Sequence, residues 1–94
     1  GGFFENIPRM LPDGIVARLD KNAVPVPEIF KLIAKTGDIG RREMYNTFNM
    51  GVGMAIIVSK DEADKCLRVL RENGAPAAVL GECAASDEGG IELI

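Results

Sequence analysis

The chain has 94 residues, 47% of them hydrophobic and 27% charged, with 11 basic against 14 acidic side chains and a formal net charge of −3. That size admits one modest core. The low hydrophobicity of a disordered chain is missing, as is the apolar run of about 20 residues that spans a bilayer, so one soluble domain over residues 1–94 is expected. The acidic balance argues against a nucleic-acid surface, which needs a basic face to displace counterions from phosphates. A small anion is still allowed, because free amides at a helix start can hold it whatever the net charge.

There is no histidine, which excludes Ser-His and Cys-His catalysis and His-ligated metals within these residues. Cys66 and Cys83 lack the spacing of a zinc site or a CxxC pair and read as reduced cytosolic thiols. The sequence opens on Gly1-Gly2 with no initiator Met, no basic n-region and no apolar h-region, and is expected to be a cut, not a natural beginning.

Phe3, Phe4, Ile7, Met10 and Leu11 recur at helical spacing, so residues 3–11 are expected to form a short helix, interrupted at Pro8. After the turn Pro12-Asp13-Gly14, residues 15–20 place Ile15, Ala17 and Leu19 on one face of a half-buried strand. Pro27 is placed as the first residue of a helix that runs through Ala34 and stops at Gly37. Residues 41–48 predict another short helix, which Asn49-Met50-Gly51-Val52-Gly53 breaks.

Met54-Ala55-Ile56-Ile57-Val58 is a continuous apolar run of strand length and predicts a central strand covered on both faces. Ser59 and Glu62 predict a capping box ahead of a helix with the apolar stripe Ala63, Cys66, Leu67, Leu70, ending at Asn73-Gly74. Residues 77–84 read as a strand, Ser86-Asp87-Glu88-Gly89-Gly90 as a hairpin loop, and residues 91–94 as a last strand. The expected fold class is α+β, with helices packed on a mixed, largely antiparallel sheet.

Two stretches could carry chemistry. Gly1-Gly2 at a helix entry would let backbone amides approach a phosphate, although an ordinary turn has the same composition. Residues 44–54 set Asn46, Thr47 and Asn49 beside two glycines, between a helix and an expected strand, where α/β layers expose ligand groups or simply turn. Asp87 and Glu88 read as a solvated loop and not as a metal pair, and Met44, Met50 and Met54 as gap-filling core residues.

The opening Gly1-Gly2-Phe3-Phe4-Glu5-Asn6-Ile7-Pro8-Arg9 resembles the end of the threonine-glycine-glycine-glycine segment, with its following glutamate, asparagine, proline and arginine, of the phosphoribosylformylglycinamidine cyclo-ligase (aminoimidazole ribonucleotide synthetase) family. Residues 44–54 are similar to that family's Met-Tyr-x-Thr-Phe-Asn-Met-Gly-x-Gly-Met signature in type and distance. Val24-Pro25-Val26-Pro27 with Ile29-Phe30, Glu62-Ala63-Asp64 after Ser59, and Gly81 extend the resemblance over the whole chain. Two departures stand out: the family's histidine and threonine fall before Gly1, and residue 46 is Asn where a basic residue is common.

The resemblance implies the C-terminal part of an enzyme that closes the imidazole ring of formylglycinamidine ribonucleotide with ATP, giving aminoimidazole ribonucleotide, ADP and phosphate. It implies a cytoplasmic homodimer in purine biosynthesis, with ATP and magnesium handled mainly by an N-terminal domain that residues 1–94 do not include, and with potassium as a possible further companion. On that basis Gly1, Gly2, Phe3 and Phe4 are expected to hold the substrate phosphate, and Glu5, Asn6, Thr47 and Asn49 to line or brace the cleft. Catalytic residues are not assigned, and no metal ligand is expected in this part. The 94 residues alone are expected to be inactive, and to self-associate or be marginally stable because apolar surface is uncovered. The competing readings are another ATP-dependent enzyme of the same superfamily, such as selenophosphate synthetase or a thiamine-phosphate kinase, and a non-catalytic binding module.

Overall fold

Residues 15–19 occupy the middle of the sheet because they are apolar on both faces. In the computed structural model, which describes all of residues 1–94, strand β1 (Ile15–Leu19) buries Val16 as well as Ala17 and Leu19 and exposes only Arg18 outright. It is flanked on one side by β2 (Gly81–Ala85), antiparallel, and on the other by β3 (Gly90–Leu93), parallel. The registers run from Ile15 opposite Ala85 to Leu19 opposite Gly81, and from Val16 opposite Gly90 to Leu19 opposite Leu93. Arg18 lies across from Glu92 at 3.6 Å, but both side chains are about half exposed, so this pair is worth only about 0–1 kcal/mol.

The order of helices and strands makes the chain α+β with a mixed sheet, as expected. Helix α1 (Phe3–Asn6) continues as a 3-10 turn over Ile7–Met10, with Pro8 at its start, so the predicted interruption is real. Helix α2 (Glu28–Thr36) begins one residue after Pro27, whose ψ of 149° makes it the cap and not the first helical residue. Helix α3 (Arg41–Thr47) is followed by Phe48 as its cap. The main core gathers Phe3, Ile7, Ala17, Leu19, Val24, Met44, Tyr45 and Met50, with Phe30, Ile33, Phe48 and Ile91 packed around it.

Helix α4 (Ala63–Glu72) ends as its sequence demands. Gly74 takes φ 83°, in the left-handed region, and the Ala75 amide donates to the Leu70 carbonyl at 2.9 Å. Its start differs from the capping box. Residues Lys60–Glu62 form a 3-10 turn in which the Glu62 amide donates to the Ser59 carbonyl, and the Ser59 hydroxyl makes no cap bond. The tighter turn uses a backbone acceptor where the side chain was expected.

Four further expectations are corrected. Residues 54–58 are not a strand: they pair with no segment of the sheet β2-β1-β3, and Met54 is 80% exposed. Met54 is therefore no core residue, whereas Met44 and Met50 are. The loop after β2 is not a hairpin, since β1 lies between β2 and β3; it crosses the start of β1, with the Ser86 amide donating to the Gly14 carbonyl at 2.8 Å. The strand predicted over residues 77–84 begins only at Gly81, the point where β1 offers it a partner.

Candidate functional site

The two stretches singled out in the sequence meet at Gly2. Its amide donates to the Asn46 carbonyl at 3.0 Å, in the last turn of α3. Its own carbonyl accepts from the Asn6 amide at 3.1 Å and from Asn6 Nδ2 at 2.8 Å. A β-carbon at Gly2 would collide with the Tyr45 carbonyl oxygen and stand 2.7 Å from that of Phe48. Only a glycine lets the chain approach α3 this closely.

Aromatic packing completes the joint. The Phe3 ring meets Tyr45 edge-on, with centroids 5.3 Å apart, and the Arg42 guanidinium sits 4.1 Å from the centre of the Phe4 ring. Tyr45 and Arg42 were not singled out in the sequence. The signal for them is Phe3-Phe4 itself, since two adjacent aromatics on a short helix need two different partners.

Gly1, Glu5 and Asn6 form the outer side of this joint. A β-carbon on Gly1 would come within 2.7 Å of Asn6 Nδ2 and 2.9 Å of Glu5 Oε2. The amides of Phe3 and Phe4 make no backbone hydrogen bond, as befits the first turn of a helix. Thr47 is exposed at the end of α3. Asn49 faces its own loop: its Oδ1 accepts from the Gly51 amide at 2.8 Å, and its carbonyl accepts from the Val52 amide at 2.9 Å. Between them Met50 is buried with φ 53°, a left-handed backbone at a residue that ordinarily avoids it. Asp87 and Glu88 lie exposed in the crossing loop, and nowhere do three or more His, Cys, Asp or Glu side chains gather as a metal cluster would.

Burial pushes the Tyr45 hydroxyl above its ordinary pKa, against a smaller lowering by the Arg41 cation. Its neutral form is therefore the one the fold favours. The contribution is complete below about pH 10, the unfolded value, and is lost as pH rises from there through the higher folded value. Tyr45 is the one tyrosine and there is no tryptophan, so tyrosinate absorbance reports this side chain alone. Its midpoint is expected above 10 in the folded chain and near 10 in denaturant, with Tyr45→Phe flattening the alkaline fall in melting temperature. A folded-state midpoint at or below 10 contradicts the assignment.

Compared with known proteins, residues 1–94 match the family described as AIR synthase related protein, C-terminal domain. The chain belongs to this family. Within it, the chain is 50% identical over 93 residues to a phosphoribosylformylglycinamidine cyclo-ligase of Caldanaerobacter subterraneus subsp. tengcongensis, covering 99% of the chain and 27% of that relative. It is 47% identical over 91 residues to the enzyme of the same name from Pseudothermotoga lettingae, covering 97% and 27%. Against that of Staphylococcus aureus the figures are 43% over 94 residues, 100% and 28%. As an AIR synthase C-terminal domain sequence, the chain thus spans little more than a quarter of the length of these relatives. No helix is long and apolar enough to cross a membrane.

Proposed function

We propose that residues 1–94 are the single C-terminal segment of a phosphoribosylformylglycinamidine cyclo-ligase. In this reading the whole enzyme uses ATP to close the imidazole ring of formylglycinamidine ribonucleotide, releasing aminoimidazole ribonucleotide, ADP and phosphate. The observation that carries it is the Gly2 joint, which brings both family-like stretches into one place within a chain 43–50% identical to enzymes of that name. The reaction needs a phosphoryl group and an internal nucleophile to be aligned and charge to be neutralised, which is largely positioning and electrostatics.

The unbonded amides of Phe3 and Phe4, with Gly1 and Gly2 leaving room beside them, are the groups we assign to the substrate phosphate. Glu5, next to Gly1, carries the wrong charge for a phosphate and suits the cationic amidine end of the same substrate. Asn6 braces Gly2 and Asn49 braces the turn after α3, while Thr47 is free to face a cleft. ATP and magnesium fall mainly to the part of the enzyme outside these residues, in a cytoplasmic, homodimeric enzyme that also uses potassium.

The test is ATP-dependent formation of aminoimidazole ribonucleotide by the full-length protein, with residues 1–94 alone assayed beside it. Turnover by the first and none by the second is expected. An inactive full-length protein that instead phosphorylates another small molecule would move the reading to a different chemistry of the superfamily, and turnover by residues 1–94 would refute the division of labour.

A further inference from the structure

Residues 53–58 form neither helix nor strand, and none of their peptide groups donates or accepts a hydrogen bond within the chain. Met54 is 80% exposed, and Ile56, Ile57 and Val58 are 43–49% exposed. Only Ala55 in the run packs against the main core. Beside it, Val58 shares an open apolar groove with Cys66, Val69 and Leu70 of α4. On the other flank of α4, residues 76–79 make no backbone–backbone hydrogen bond either, and Val79 is 55% exposed. Helix α4 thus lies between two segments that lack backbone pairing.

We propose that residues 54–58 are a docking edge for a β-strand supplied by the part of the same polypeptide outside residues 1–94, and that α4 packs beneath the sheet so extended. Consecutive unpaired peptide groups call for a partner that offers donors and acceptors at strand spacing, which a helix or a side-chain surface does not. Side chains on both faces of the run are apolar, the pattern of a strand covered above and below. The relatives are almost four times as long as the chain, so most of such a polypeptide is available to supply the strand. A covalently attached strand also has an effective concentration that a second copy lacks. An apolar edge left open would be an aggregation site, which favours permanent cover over an occasional partner.

The test is amide hydrogen exchange of the full-length protein, read at residues 55–58, and it does not depend on what reaction the enzyme catalyses. Exchange at least about 100-fold slower than in an unstructured peptide is expected, unchanged on dilution. Ile56→Pro, which removes a donor from the middle of the run, should abolish that protection, while Ile56→Val should retain it. Fast exchange in the wild-type full-length protein overturns the proposal. Protection that disappears on dilution, together with a halving of mass by sedimentation, assigns the edge to a second copy and overturns it equally.

Discussion

Gly2→Ala is expected to destabilise the fold by about 1–3 kcal/mol and to uncouple α1 from α3. The added methyl would meet the carbonyl oxygens of Tyr45 and Phe48 and the carbonyl carbon of Asn46, all of them backbone atoms of a helix end that cannot swing aside. Relief requires the entry segment to move away, which breaks the 3.0 Å bond from the Gly2 amide to Asn46 and draws Phe3 off Tyr45. Gly1→Ala is the control. Its methyl meets the ends of the Glu5 and Asn6 side chains, which can rotate at the cost of the Asn6 Nδ2 bond to the Gly2 carbonyl, so its effect should stay within about 1 kcal/mol. Denaturant titration of both variants decides the matter: equal losses would show that close backbone approach is not what Gly2 provides. In the full-length enzyme, Gly2→Ala should also lower kcat/KM if the joint positions the substrate.

Met44→Ala should cost about 2–5 kcal/mol, and Met44→Leu less than about 1.5. Met44 is 2% exposed and sits at the centre of a core built from few residues, since 10 of 94 are buried. A loss of that size is a large part of the roughly 5–15 kcal/mol that holds an ordinary domain together. Met54→Ala, at 80% exposure, should be nearly neutral in residues 1–94 but measurably destabilising in the full-length protein if a strand covers it there. Thermal melts of the three variants and the wild type, with Met54→Ala and wild type also compared at full length, test both statements. A near-neutral Met44→Ala would place the core elsewhere.

The features legible in the sequence are those set by local chemistry. The strand at residues 15–19, the stop at Gly74 and the interruption at Pro8 each depend on a few neighbouring residues and are found where expected, although Val16 is buried on the face opposite Ala17 and Leu19 as well. What was illegible depends on partners. A run such as residues 54–58 records that apolar cover is needed without saying which segment supplies it. The loop over residues 86–89 has hairpin composition, but nothing in it says that β1 will stand between the strands it connects. Ser59 and Glu62 have capping-box spacing, yet the choice between side-chain and backbone acceptors at a helix start turns on a fraction of a turn in geometry.

At the candidate site the division is similar. The polar and glycine-rich stretches announced themselves by type, and Asn49 braces its own turn, as its residue type allows. That Gly2 docks on α3, and that Tyr45 and Arg42 clamp the two phenylalanines, are facts of tertiary contact. Between Phe3 and Tyr45 lies too much sequence for any periodicity to connect them.

The order β2-β1-β3 also has a consequence for how the protein is made. The central strand emerges before either neighbour, since both of them come from residues 81–93. At roughly 5–20 residues per second, Val16, Ala17 and Leu19 wait several seconds on the ribosome before either edge can be paired. Contacts of such long sequence separation form slowly even afterwards. The nascent chain should therefore depend on chaperones that hold apolar segments.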